Sequence, residues 1–213
     1  INRLVLGIAF RHGVRKIVKS KSMVSEESAL DLAIEGAGLE VVETDLGEYI
    51  LQINGYEPPS HIVGPALHKS KEEVTELFHR RHGTPRKDGI EDLCREARAV
   101  LREHYLTADM GISGGNFFVA ETGSVLLVTN EGNASLATTL PKVHVAISGI
   151  EKIVPTLEDA ATLMRLLPRS ATGQSISNYV DVLTGTRGEG EFHGVDHMYF
   201  ILVDSGRTGV LAS

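Results

Sequence analysis

The stretch Asp109–Asn133, DMGISGGNFFVAETGSVLLVTNEGN, limits the fold more than any other part of the chain. Phe117–Ala120 and Ser124–Thr129 are short, β-branched or aromatic runs parted by Glu-Thr-Gly, which is turn chemistry. They predict a hairpin with Glu121 at its tip or shoulder. Gly111, Gly114 and Gly115 precede it and allow close backbone approach or positive φ, while Asn-Glu-Gly-Asn follows it. Two polar, glycine-rich loops are therefore expected to flank one buried hairpin.

Around this hairpin the pattern is strand-helix alternation. Val14–Val18 reads as a strand, Met23–Ala37 as a helix with Ser22 or Ser25 able to cap it, and Leu39–Glu43 as a second strand. In such a βαβ unit the intervening loop, with Lys19, Lys21 and Ser22, falls at a strand's carboxyl end and could hold an anion; equally, the lysines could be solvated and Ser22 a simple cap. Further helices are expected over Asp45–Ile53, from Ser70 to Gly83, over Ile90–Leu106, over Ala134–Leu140, and from Thr156 to a stop at Pro168. His61–Gly64 and Val143–Ser148 read as strands, the latter carrying His144. Strands over Ser177–Thr184 and His197–Asp204 are expected to form an antiparallel pair. The sum is an α/β fold, a mixed sheet with helices on its faces.

Length and composition narrow the function. The 213 residues, 42% hydrophobic, suit one domain spanning 1–213, and a formal charge of −7 argues against a general nucleic-acid binder. No apolar run is long enough to span a bilayer and no signal-peptide pattern opens the chain, so a cytoplasmic protein is expected. Cys94 is the only cysteine, which excludes an internal disulfide or a cluster held by these residues, and its helical spacing predicts a buried, inert thiol. The chain starts at Ile1 and is expected to be a fragment or a processed piece. The run His79–Lys87 is read as a solvated basic connection.

Several residues could carry chemistry. No phosphate-binding P-loop or dinucleotide fingerprint is complete. Glu121, on a tight turn beside glycine N–H donors, could act as base or nucleophile, or be an exposed hairpin acid; Glu131 has the same ambiguity. Arg169 with Ser170, Thr172 and Gly173 could clamp an anion or form a turn stitched by local hydrogen bonds. His193-Gly-Val-Asp196-His197 offers metal-ligand types at a spacing that fits no zinc motif, so no metal site is expected.

The segments VKSKSMVSEE (18–27), VVETDLGEYILQ (41–52), PPSHIVGPALHKS (58–70), GISGGNFFVAETGSVLLVTNEGN (111–133), GIEKIVPTLED (149–159) and LLPRSATGQSIS (166–177) resemble the lactate-utilisation, or LUD, domain family over nearly the whole chain. The resemblance implies a fold like that of NagB, RpiA and the CoA transferases. It also implies work with partner proteins in oxidising L-lactate to pyruvate, and a longer protein whose cysteine-rich segment binds two four-iron clusters. No cluster is expected in these residues, and the domain alone is not expected to turn over lactate. The matched loops, with Lys19, Lys21, Ser22, Ser113, Gly114, Gly115, Asn116, Thr122, Asn130, Glu131, Asn133, Arg169, Ser170, Thr172 and Gln174, are expected to share one site for a small carboxylate or other anion. There Arg169 or Lys21 would grip the carboxylate and Glu121 or His144 would take the hydroxyl proton. Two other readings stay open: a CoA-transferase-like enzyme with Glu121 as acyl acceptor, and a non-catalytic scaffold or ligand sensor.

Overall fold

A computed structural model describes residues 1–61, 64–177 and 179–211. In chain order the elements are α1 (Asn2–Arg11), β1 (Lys16–Lys19), α2 (Met23–Glu27), α3 (Leu30–Gly36), β2 (Glu40–Glu43), α4 (Leu46–Ile53), α5 (Lys71–His82) and α6 (Ile90–Thr107). There follow β3 (Met110–Ser113), β4 (Phe117–Val119), β5 (Ser124–Thr129), α7 (Asn133–Thr139), β6 (Val143–Gly149), β7 (Ile153–Val154), α8 (Leu157–Thr172), β8 (Tyr179–Leu183), β9 (His197–Val203) and α9 (Arg207–Leu211). The α/β class expected from the sequence holds, with the strands divided between two sheets. One is wholly parallel in the order β2-β1-β3-β6-β9; the other, β7-β4-β5-β8, is mixed.

Parallel strands bury both faces, and successive residues of β1 show it. Ile17 packs with Val5 and Ile8 of α1, Leu30 and Ile34 of α3, and Ile112 and Val145 of the sheet. Val18 points the other way, into Tyr49, Phe78, Leu101 and Tyr105 of α4, α5 and α6. The second sheet packs α8 through Val119, Leu126, Val154 and Ala160. Its Phe118 and Val125 meet Ala146 of the parallel sheet, and Phe118 sets its ring edge-on to Phe200 at 5.5 Å. The hairpin predicted from Asp109–Asn133 is thus β4-β5, and it joins the two sheets.

Local chemistry explains the element ends. Ser70 and Thr156 form capping boxes with Glu73 and Asp159, as their spacing predicts, and Gly83 ends α5 in the left-handed conformation. Asp45 caps α4 by accepting the N–H groups of Gly47 and Glu48. The helix predicted over Met23–Ala37 is broken into two, because Ala29 takes a left-handed φ of 48° between α2 and α3. α8 runs through Pro168 to Thr172, where Gly173 caps it. A proline removes one helical hydrogen bond, and this helix tolerates the loss. The expected β8-β9 pair does not form: β8 adds antiparallel to β5 and β9 adds parallel to β6 over seven residue pairs. α1 had no counterpart in the sequence reading, although Val5, Ile8 and Ala9 give it a buried face. The strand expected at His61–Gly64 lies partly outside the described residues.

Two expectations about α5 and α6 change. Cys94 is exposed, because the buried stripe of α6 runs through Leu93, Ala97, Leu101 and Tyr105 and Cys94 sits beside it. The run His79–Lys87 is no mere solvated connection: His82, Thr84 and Lys87 all reach the buried Glu96 carboxylate, at 2.7, 2.5 and 2.8 Å.

Gly111 shows why this stretch needs glycine. Its backbone is ordinary strand, but a Cβ there would collide with the Ala137 carbonyl oxygen of α7, which packs flush on β3. Gly111→Ala should cost at least ~2 kcal/mol of stability through overpacking. Gly7→Ala, in an open position inside α1, should instead gain ~0.5–1 kcal/mol. Thermal and urea melts of the two variants compare these outcomes directly.

Candidate functional site

The parallel sheet reverses direction of growth at β1: the chain adds β2 on one side, then β3, β6 and β9 on the other. Open α/β sheets leave a crevice at the carboxyl ends of the strands where this occurs. A cleft of about 470 Å³ lies there. Its floor is Ser20–Val24 after β1 and Gly114–Asn116 after β3, with Ile147 and Ser148 of β6; its roof is Leu127–Glu131 of β5 and the loop beyond it, with the last turns of α8. The site therefore forms between the two sheets.

Hydrogen bonds hold its walls. Asn116 accepts the Val128 N–H through Oδ1 at 2.9 Å, tying the β3 loop to β5. Ser148 donates to the Gly115 carbonyl at 2.8 Å. Thr129 Oγ1 donates to Asn133 and accepts the N–H groups of Glu131 and Gly132, which folds the loop after β5 back on itself. The Asn130 and Gln174 amides bond to each other at 3.3 and 3.4 Å, and Thr172 donates to Gln174 at 2.6 Å. These three residues join the β5 loop to the cap of α8 across the cleft.

Of the residues expected to share a site, Lys21, Ser22, Gly114, Gly115, Asn116, Asn130, Glu131, Asn133, Thr172 and Gln174 line this cleft. The sequence pattern does not single out Asp45 and Lys152, whose charges border it: Asp45 caps α4, and Lys152 follows β6 in a short turn. With Lys21 and Glu131 they give two cations and two anions around a wall of amides and hydroxyls. Met23, Val24, Leu127, Ile147, Leu167 and Pro168 supply apolar surface. The cleft can therefore take an anion at either lysine while burying an apolar body.

The other expected residues lie elsewhere. Lys19 is fully buried at the end of β1, its ammonium paired with Glu43 and 3.8 Å from Asp31. Burial alone would lower its pKa, but Glu43 and Asp31 outweigh this and raise it, so it stays charged within that buried group, outside the cleft lining. Arg169 and Ser170 are exposed on α8, outside the cleft that Leu167, Pro168, Ala171 and Thr172 of the same helix line. Thr122 is exposed in the hairpin turn, bonded to Ser124 at 2.7 Å.

Glu121 is exposed as well, and its carboxylate accepts the Leu157 N–H at 2.6 Å, at the start of α8. A carboxylate there suits the helix dipole, so the geometry gives Glu121 a capping task away from the cleft. His144 and Ser113 are both fully buried. Ser113 donates to the Gly114 carbonyl at 2.8 Å, which leaves His144 to donate from Nε2 to Ser113 Oγ, also 2.8 Å. Nδ1 is unpartnered among the described residues, and burial drives the pKa down to about 4, which keeps the imidazole neutral near pH 7.

No group of three or more His, Cys, Asp or Glu among the described residues could hold a metal ion. Asp196 pairs with Arg187, and His197 packs on the His12 ring at 4.2 Å. One cysteine cannot supply the four thiolates of an iron–sulfur cluster. No helix among the described residues is long and apolar enough to cross a membrane.

A parallel sheet with a switch-point cleft roofed by a second, mixed sheet defines a two-sheet α/β domain. The LUD domain profile matches residues 9–203, and the chain belongs to that family. It is 50% identical over 212 residues to "Lactate utilization protein B" of Geobacillus sp. strain WCH70, covering 100% of this chain and 45% of that protein. The protein of the same name from Anoxybacillus flavithermus is 53% identical over 199 residues, 93% of this chain and 42% of that one. The chain thus spans less than half the length of these curated relatives. Among solved structures, a DUF162 family protein from Deinococcus radiodurans aligns over 47% of this chain and 57% of its own, with 20% identity and a TM-score of 0.37.

Two buried groups, His144 of β6 and Glu48 of α4, titrate in opposite senses. His144 is held near 4 against 6.5 for a free imidazole, so unfolding takes up a proton between those values and stability falls as pH drops from 6.5 towards 4. Burial, then Glu26, push the Glu48 carboxyl from 4.5 up to about 7, so the folded state holds the extra proton and stability falls as pH rises across that window. Each effect is on the order of 3 kcal/mol at full extent. Between about pH 5 and 6.5 they oppose each other. Glu48→Gln should remove one slope and leave stability rising with pH across this window; urea denaturation at several pH values checks it, and equal slopes in variant and wild type would contradict it.

Proposed function

We propose that this domain serves lactate utilisation, as the ligand-binding part of a cytoplasmic assembly that oxidises L-lactate to pyruvate with partner proteins. The observation that carries the reading is about 50% identity, over the whole chain, to proteins named for lactate utilisation, in a domain where residues of several matched loops line one cleft. Lactate would place its carboxylate at Lys21, beside the Ser22 and Asn116 side chains, with Lys152 as a second cation at the border. Glu131, the cleft's carboxylate outside a helix cap, would accept the hydroxyl proton in the place first considered for Glu121 or His144. The oxidation also breaks the C2–H bond and so removes two electrons and a second proton, which would pass to solvent. The two four-iron clusters that the resemblance implies would receive the electrons on residues of the longer protein outside these 213. On this reading the isolated domain does not turn over lactate.

The test is made on the full-length protein in a strain lacking its own copy. Lys21→Ala should lower lactate-dependent growth and lactate oxidation by about tenfold or more, the loss of one charge-assisted contact. Growth on glucose should be unchanged, and Arg169→Ala should behave as wild type. If Lys21→Ala and Glu131→Gln both oxidise lactate at the wild-type rate, the cleft is not where lactate binds.

A further inference from the structure

A second cavity, of about 200 Å³, opens on the other side of the β1 carboxyl end, between α2, α3 and α4 and the Pro58-Pro59 segment. Five carboxylates line it: Glu26, Asp31, Glu43, Glu48 and Glu57, the last paired with Lys69 and His68. One ammonium, that of Lys19, lies behind them and is taken by Glu43 and Asp31. Glu26 and Glu48 are left over. Glu48 is 7% exposed, and its side chain makes no hydrogen bond or ion pair with any described residue. Glu26 Oε1 is buried without a hydrogen-bond partner among them, as are Asp31 Oδ1 and Glu43 Oε2 of the same cavity. A buried carboxyl normally has its hydrogen bonds satisfied, so this unpartnered pair signals a missing donor.

The shape of the site selects the donor. The described residues include no group disposed to hold a metal ion, and the volume far exceeds one ion. Ser25, Gln52 and Tyr56 also line it but are bonded within the chain, and Leu30, Leu51, Pro58 and Pro59 give apolar wall that suits methylene groups. Lys19 already shows which group these carboxylates accept, an ammonium on an aliphatic stem. We propose that this cavity binds a small aliphatic amine, its ammonium seated between Glu26 and Glu48 and its carbon chain along Leu51, Pro58 and Pro59. The site is separate from the lactate cleft. The charged groups acting on Glu48 are Glu26 of α2, Lys19 of β1, Asp45 at the α4 cap and Lys21 in the β1–α2 loop; the lysines attenuate its proton affinity without bonding to it. Burial raises both Glu26 and Glu48, so an arriving ammonium displaces protons from them.

The experiment is calorimetric titration of the full-length protein with 1,4-diaminobutane, using 1,4-butanediol as the uncharged control and magnesium and calcium chlorides alone as further arms. Saturable binding of the diamine is expected, with none of the diol. At pH 6.5 the heat should vary with the ionisation enthalpy of the buffer, because protons leave as the amine binds. Glu48→Gln and Glu26→Gln should each weaken binding by about tenfold or more. Should Glu48→Gln fail to fold, Glu26→Gln decides the matter alone. The proposal is overturned by absence of saturable diamine binding, by equal binding of the diol, by affinity unchanged in the folded variants, or by a site that takes only the divalent ions.

Discussion

Lys19 carries its ammonium into the interior at the point where both cavities begin. Taking such a charge out of water costs several kcal/mol, so it persists only because carboxylates meet it there. Glu43 lies directly across from it in the β1-β2 register, and Asp31 reaches it from α3. Burial and Asp31 push the Glu43 carboxyl up while Lys19 opposes them. The Lys19 carbonyl then accepts both the N–H and the hydroxyl of Thr44 at 2.9 Å. The ends of β1 and β2 are locked together, and the chains leaving them are set in fixed directions. Ser20–Val24 become the floor of the larger cleft, and Asp45 starts α4, whose Glu48 lines the smaller cavity.

The second sheet completes what the first begins. A parallel sheet covered by helices on both faces can leave open only its strand ends, and here β4 and β5 rise from the β3 end to roof them. That path needs α7 pressed against β3, which Gly111 permits, and a hairpin face turned towards β6, which Phe118 and Val125 supply. The Asn130-Gln174 amide pair then joins the roof to α8. Packing places the walls, and hydrogen bonds fix their spacing.

Much of this was legible in the sequence because it is local. Turn chemistry gave the β4-β5 hairpin, capping-box spacing gave the starts of α5 and α8, and β-branched runs gave β6. Loop residues such as Asn116, Asn130 and Gln174 were found because glycine-rich and amide-rich loops concentrate at strand ends. The failures are tertiary. Nothing near Lys19 in sequence announces that Glu43 will neutralise it, and nothing in an Arg-Ser-Ala-Thr-Gly run shows that α8 passes through Pro168 and turns Arg169 outward. Glu121 reads as a reactive turn acid until the N-terminus of α8 arrives beside it. Cys94 obeys the helical spacing of α6 yet falls on the wrong side of a stripe fixed by Leu93 and Ala97. The partner of β9 could not be read from its own residues, since an apolar run such as HMYFILV suits either sheet.

Two buried glutamates show how far environment, rather than residue type, decides the chemistry here. Glu96 is 5% exposed, and burial works to raise its pKa, yet bonds from Lys87, Thr84 and His82 pull it down to about 2. Glu48 is 7% exposed, has no such donors, and rises to about 7. The first is a finished structural site: an ion and hydrogen-bond cluster that ties α5, its following loop and α6 together. The second has the same carboxyl at the same depth with its bonding capacity unused, beside a cavity and a second unpartnered acid. An interior that satisfies Glu96 with three donors has the means to satisfy Glu48, and alternatives such as glutamine or leucine would remove the cost outright. Retaining a carboxyl there is physically intelligible when the missing donor comes from outside the chain.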